Sequence, residues 1–143
     1  MGDSTMDRYG CLVSALAMML SLRDSEVTPG SLNRFLRNSG GYVNGNAVVF
    51  GALERYPGAG LKFISRERFS LEAMKRYLDG GYQVIAGYPG GVHWVYVLGY
   101  EGDGSRLPLY RFHDPGRAGA DLRFSSSAPP DSLRVFRLSE TRK

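Results

Sequence analysis

Apolar residues between Tyr9 and Ser21 recur at the spacing of an α-helix that is buried on most of its surface. A helix that is apolar around most of its circumference belongs in the middle of a domain. Gly10 is expected to let the chain enter this helix, which places Cys11 in its first turn. Two adjacent stripes carry the pattern: Leu12, Ala15, Leu16 and Met19 form one, and Val13, Ala17 and Leu20 form the other.

Capping residues predict three further helices. Thr28 and Pro29 fit the N-cap and the first helical position of the second helix. Asn46 and Ser70 are expected to cap the third and fourth helices in the same way. The predicted spans are Pro29 to about Asn38, Ala47 to Tyr56, and Leu71 to Leu78.

After the helices, segments rich in β-branched and aromatic residues alternate with glycine and proline turns, a pattern typical of strands. Two of them, on either side of the turn Glu101–Ser105, are expected to pair as a hairpin. Helices followed by antiparallel strands predict an α+β fold in a single domain covering residues 1–143. The predicted strands are Leu61 to Ser65, Tyr82 to Tyr88, Val92 to Tyr100, Leu109 to His113, and Leu133 to Leu138.

Composition narrows the class of protein. With 43% hydrophobic and 22% charged residues, the 143-residue chain has the composition of a folded globular domain. One cysteine cannot form an internal disulfide, and neither a signal peptide nor a membrane span is visible. The net charge of +4 is spread over scattered arginines, so we expect a generally basic surface and no nucleic-acid partner. No cofactor and no metal ion is expected.

Three residues could together carry nucleophilic catalysis. A cysteine at a helix N-terminus is favoured as the reactive thiolate. His93, early in one predicted strand, and Asp114, at the end of the next, would approach each other across the hairpin. Cys11, His93 and Asp114 would then act as nucleophile, base and orienting acid. His113 alternates to the opposite face and is not expected to share the site.

Each residue taken singly has a simpler explanation. A lone cysteine is most often a small buried hydrophobe, and a histidine leading an apolar strand is often a satisfied residue at the rim of the core. An Asp-Pro pair at a strand end is commonly a turn. The combination in chain order is more specific than any one of the three.

The chain resembles a known enzyme family in several motifs. It looks like the papain-like cysteine peptidases related to the double-glycine leader peptidases of bacteriocin exporters, especially their stand-alone, often phage-encoded relatives. The resemblance runs from about Tyr9 to Pro115. The motifs are Tyr9–Met18 (YGCLVSALAM), Val27–Gly30 (VTPG), Gly41–Asn46 (GYVNGN), Val92–Tyr100 (VHWVYVLGY) and Asp114-Pro115.

This resemblance implies a papain-like fold, in which N-terminal helices precede an antiparallel sheet or half-barrel, and thiol attack on an amide carbonyl. It implies that Cys11 is the nucleophile, His93 the general base and acid, and Asp114 the orienting residue. The substrate would be a peptide, a protein or a peptidoglycan stem. A bacterial or phage origin and a cytoplasmic or virion-associated location follow from the same resemblance.

One feature of the family is missing. Papain-like enzymes usually carry a glutamine about six residues before the cysteine as an oxyanion donor, whereas Thr5, with Ser4 beside it, stands at that distance here. Loss of one such donor typically costs about 2.7–4 kcal/mol of transition-state stabilisation. The Cys11 backbone N–H remains as a donor, and Thr5 or Ser4 is a partial substitute for the glutamine. The alternatives are that activity is weak, that the donor comes from elsewhere in the chain, or that the natural chain extends upstream.

Aromatic residues beside glycine turns are candidates for lining the cleft, although such residues often form the edge of the core. These are Tyr42, Tyr88 and Trp94. Two alternatives to a hydrolase remain open: a catalytically weak or inactive papain-like module that binds peptide or forms part of a phage particle, and an acyl transferase that uses the same thioester chemistry.

Overall fold

A computed structural model describes residues 6–21, 28–38, 42–43, 47–48, 54, 60–89, 93–114 and 122–138. Side chains are described within these ranges except for residues 6–12, 42–43 and 47–48. The helices are α1 (Met6–Leu20), α2 (Pro29–Asn38) and α3 (Leu71–Asp79). The strands are β1 (Tyr42–Val43), β2 (Ala47–Val48), β3 (Leu61–Arg68), β4 (Gln83–Gly87), β5 (Trp94–Tyr100), β6 (Tyr110–His113), β7 (Leu122–Arg123) and β8 (Ser132–Leu138).

Six strands form one antiparallel sheet in the order β3-β8-β4-β5-β6-β7, and β1 pairs with β2 in a separate hairpin. The predicted α+β class is therefore confirmed. The predicted pairing of the strands around Glu101–Ser105 is also confirmed, because β5 and β6 are antiparallel neighbours. In the described part of the chain, no helix has both the length and the apolar composition needed to cross a membrane.

Helices cover both faces of the large sheet. Because side chains alternate along a strand, β5 sends Trp94 and Tyr96 to one face and Val95 and Val97 to the other. The first face packs against the buried residues of α1 and α2 and is called the α1 face below. The opposite face packs against Ala73 and Met74 of α3, among others.

The two predicted N-cap residues that lie within the described residues, Thr28 and Ser70, both cap their helices. The Ser31 N–H donates to Thr28 Oγ1 at 3.0 Å, and the Thr28 N–H donates back to Ser31 Oγ at 3.0 Å. The Ala73 N–H donates to Ser70 Oγ at 3.0 Å. A side-chain acceptor at this position satisfies an N–H that the helix itself cannot pair, which explains why both helices begin where the sequence predicts.

The predicted helix from Ala47 to Tyr56 is wrong, because Ala47–Val48 pairs with Tyr42–Val43 as a strand. Val48 and Val49 are β-branched, and the intervening Asn-Gly-Asn favours a reversal of the chain between two strands. Pairing with an earlier segment therefore outweighs the cap that Asn46 offers to a helix.

The predicted start of the central helix is also wrong, because α1 begins at Met6 and runs through Gly10. A glycine inside a helix costs roughly 0.5–1 kcal/mol relative to alanine. Burial of one large apolar side chain contributes about 1.5–3 kcal/mol, and Leu16, Met19 and Leu20 are fully buried. The helix therefore tolerates Gly10, and Cys11 lies five residues after its first residue.

Candidate active site

The ends of β5 and β6 bring His93 and Asp114 together. His93 immediately precedes β5, and Asp114 immediately follows β6. Because the strands run antiparallel, the beginning of one lies beside the end of the other. His93 Nε2 and Asp114 Oδ2 are 2.8 Å apart, within hydrogen-bond distance.

The pair is partly shielded from solvent, with the acid more deeply placed than the base. The His93 side chain is 33% exposed and the Asp114 side chain 12%. An exposed imidazole can be reached by a substrate, while a shielded carboxylate keeps its interaction with the ring from being screened by water. With Nε2 facing Asp114, Nδ1 is the ring nitrogen left to exchange a proton with another group.

Tyr88 lies against this pair. Its ring centroid is 5.9 Å from that of His93, and its backbone N–H donates to the His93 carbonyl at 2.9 Å. Burial raises the pKa of the Tyr88 hydroxyl, and the negative charge of Asp114 raises it further. Tyr88 is thus a neutral, half-buried side chain that lies beside the imidazole of His93.

Cys11 is carried by the helix that packs on the strand next to His93. Leu16 and Leu20 of α1 share a core cluster with Trp94 and Tyr96 of β5. The Cys11 side chain lies outside the described residues, so the structure gives its position only as a place on the helix. The fold thus brings His93 and Asp114 together and places the helix that carries Cys11 on the same sheet.

The start of α1 at Met6 changes what Cys11 can contribute. Only the first four N–H groups of a helix lack an intrahelical partner, so the Cys11 N–H belongs to the helical hydrogen-bond ladder. The helix dipole acts mainly within the first turn. The expectation that the Cys11 N–H is an oxyanion donor, and that a helix terminus stabilises its thiolate, is therefore wrong for this helix.

The other predicted site residues have different positions. Trp94 is 6% exposed and packs in the core beneath α1, with the Arg134 guanidinium 4.9 Å from its ring centre. It is therefore a core residue of the α1 face. Tyr42 belongs to β1, its side chain lies outside the described residues, and Ser4 and Thr5 lie outside them entirely.

Gln83 is the only glutamine in the sequence, and it does not replace the missing oxyanion donor. It begins β4, at the opposite end of that strand from Tyr88. Its side-chain oxygen accepts a hydrogen bond from the Tyr96 hydroxyl. Burial raises the pKa of that hydroxyl to about 12, so it remains a donor.

His113 lies directly opposite Tyr96 across the β5–β6 pair. Directly opposite residues share a face of the sheet, so His113 is on the α1 face. It stands one residue before Asp114 and is half-buried. The second histidine of the chain is therefore a natural control for experiments on the first.

Sequence reasoning missed one charged feature on the α1 face. Arg66 and Arg68 of β3 lie directly opposite Arg134 and Ser132 of β8. Their spacing of two residues could have indicated a shared strand face, but the predicted strand ended at Ser65.

The described residues contain no group of three or more His, Cys, Asp or Glu side chains placed to hold a metal ion. Comparisons with known proteins gave no match to a protein-family model, a curated protein or a solved structure.

Proposed function

We propose that the protein is a cysteine hydrolase with a papain-like arrangement, which cleaves a peptide or isopeptide bond through Cys11, His93 and Asp114. The observation that carries the proposal is the 2.8 Å contact between His93 and Asp114 at the ends of neighbouring strands. Packing alone requires no histidine–carboxylate pair at this position, and a base held by a partly shielded acid is the arrangement that activates a nucleophile.

The reaction follows from the roles of these three groups. His93 Nδ1 takes the proton of the Cys11 thiol, and the thiolate attacks the carbonyl carbon of the scissile amide. The tetrahedral intermediate collapses as the imidazolium gives its proton to the leaving amine, which leaves a thioester on Cys11. Water, deprotonated by His93, then attacks the thioester, and the acid product and the free thiol are released. Asp114 holds the imidazole and stabilises its protonated form.

Thiol reactivity tests this proposal without knowledge of the substrate. The rate of alkylation of Cys11 by iodoacetamide would be measured against pH in the wild type, in His93→Ala and in His113→Ala. A thiolate paired with His93 reacts well below pH 8.5, about the ordinary pKa of a free thiol. We expect this low-pH reactivity in the wild type and in His113→Ala, and its loss in His93→Ala. A rate that follows a free thiol in all three proteins would reject the proposal.

The substrate would be sought by mass spectrometry after incubation with peptidoglycan fragments and with a panel of denatured proteins. Cys11→Ser is the control, since a serine at this position lacks the thiolate. Products that appear with the wild type and not with Cys11→Ser identify the bond that is cleaved.

A second candidate is a catalytically weak or inactive papain-like module that binds peptide, for example within a phage particle. It is favoured by the position of Cys11 inside α1, where the backbone N–H is already paired, and by the lack of a glutamine before the cysteine. Free-thiol behaviour of Cys11, together with retained binding of peptides, would support this candidate over the hydrolase.

A further inference from the structure

An open groove crosses the α1 face at the ends of β3 and β8. Its volume is about 720 Å³, and it is called the arginine groove below. Three of its lining residues are arginines, against two acids, Glu67 and Asp131. The lining residues are Arg66, Glu67, Arg68, Phe69, Asp131, Ser132 and Arg134.

Two of the arginines are held close together. Arg66 lies directly opposite Arg134 across the β3–β8 pair, an arrangement that is destabilising for like charges. Burial lowers the pKa of Arg134, and the positive charge of Arg66 lowers it further. Arg66 and Arg68 are exposed, and neither has a carboxylate partner among the described residues.

One of the two acids that line the groove is engaged by hydroxyl groups away from the arginines. The Glu67 carboxylate accepts hydrogen bonds from the Ser65 hydroxyl, at 2.8 Å, and from the Tyr77 hydroxyl. Tyr77 packs on the face opposite α1, so Glu67 points away from the arginines. Asp131 is the acid whose charge acts on Arg134.

A β-bulge puts the arginines on this face. Phe63 lies opposite Phe136, but Ser65 lies opposite Val135, so Ile64 is an extra residue in β3. An extra residue reverses which face the following side chains occupy. Without the extra residue, the Arg66 side chain would lie on the same face as that of Lys62, which is the face opposite α1.

The arginine groove lies at the same end of the sheet as the candidate catalytic pair, whose histidine packs with Tyr88 on the opposite face. A row of directly opposite residues crosses four strands, from Arg68 through Ser132 and Gly87 to Trp94, and Trp94 follows His93. Neighbouring strands lie about 4.8 Å apart, so three spacings separate Arg68 from Trp94 by about 14 Å.

We propose that the arginine groove binds a carboxylate-bearing segment of a peptide substrate, remote from the scissile bond. Guanidinium groups bind carboxylates through paired hydrogen bonds, and the peptide carboxylate relieves the repulsion between Arg66 and Arg134. This inference rests on the proposed function for its reference to a scissile bond, whereas binding of the acidic peptide itself requires no catalysis.

Binding is measured by fluorescence anisotropy with full-length Cys11→Ser protein, so that no turnover occurs. The probes are a labelled Gly/Ala octapeptide with two adjacent glutamates and the same peptide with two glutamines. We expect the glutamate peptide to bind at least tenfold more tightly. Arg66→Gln/Arg68→Gln should remove this preference.

The matched control is Lys62→Gln/Arg137→Gln. These two residues are exposed, lie on the same two strands outside the groove, and remove the same charge. Circular dichroism checks that both double variants are folded. The control should keep the preference for the glutamate peptide.

Three outcomes overturn the inference: an equal loss of binding in both double variants, equal binding of the two peptides, or tighter binding of a single-stranded oligonucleotide than of the glutamate peptide. The alkylation experiment is separate. A preference for the glutamate peptide without low-pH reactivity of Cys11 would support the groove and reject the hydrolase. Low-pH reactivity without a preference for the glutamate peptide would reject the groove alone.

Discussion

Replacement of Gly87 by alanine is the substitution for which the structure makes the clearest quantitative prediction. Gly87 is buried in β4 between Trp94 and Ser132. A Cβ at this position would lie 2.5 Å from Trp94 Cζ3, 2.8 Å from Trp94 Cε3 and 2.8 Å from Ser132 Oγ. Carbon atoms in contact prefer about 3.5–4.0 Å, so the added methyl overlaps the indole by at least 1 Å.

Moving the Trp94 indole to make room for this methyl group would be energetically costly. Trp94 is 6% exposed, packs beneath α1 and has Arg134 over its ring. Overpacking of a well-packed core typically costs about 1–3 kcal/mol. In a strand with open space, Gly→Ala would instead stabilise by roughly 0.5–1 kcal/mol, because glycine loses more chain entropy on folding. We therefore expect Gly87→Ala to lower the free energy of unfolding by about 1–3 kcal/mol, opposite in sign to an unobstructed glycine.

Urea denaturation followed by circular dichroism measures this free energy. Gly30→Ala is the control, because its added Cβ meets no atom closer than 3.9 Å and the residue lies in α2. This control should be neutral or stabilised by up to about 1 kcal/mol. If Gly87→Ala were as stable as the wild type, or more stable, the packing of Trp94 against β4 described above would be incorrect.

Two further predictions concern stability away from the candidate site. Ser70→Ala removes the acceptor for the Ala73 N–H and should lower the free energy of unfolding by about 1 kcal/mol; an unchanged urea midpoint would contradict the cap. The Tyr77 hydroxyl lowers the pKa of Glu67 below 4.5, so its stabilisation is present above that pH and is lost as pH falls through the lower, folded-state pKa. Tyr77→Phe should therefore differ most from the wild type near pH 6 and progressively less below about pH 4.5, whereas a difference independent of pH would contradict this assignment.

The part of the site that sequence could predict is the part set by local geometry. His93 and Asp114 lie at the ends of two consecutive strands, and antiparallel pairing of such strands brings the start of one to the end of the other. The same locality explains the successful caps at Thr28 and Ser70, each of which depends on a residue three positions along the chain.

The features that sequence did not predict depend on distant partners. Ala47–Val48 forms a strand because Tyr42–Val43 pairs with it. The positions of Arg66 and Arg68 depend on a single extra residue in β3, set by the register against β8. Strict alternation from Leu61 would place both arginines on the wrong face, since one extra residue reverses every side chain after it.

Because α1 begins at Met6, the His93→Ala variant tests directly whether His93 activates the Cys11 thiol. Five residues of helix, at a rise of about 1.5 Å per residue, separate Cys11 from Met6 by about 7.5 Å. The helix dipole acts mainly within the first turn, so it supplies little stabilisation of a thiolate here. A cysteine at a true helix terminus would keep part of its activation after loss of the histidine. For Cys11, in contrast, His93→Ala should return alkylation fully to free-thiol behaviour, and residual low-pH reactivity in that variant would mean that another positive group acts on the sulfur.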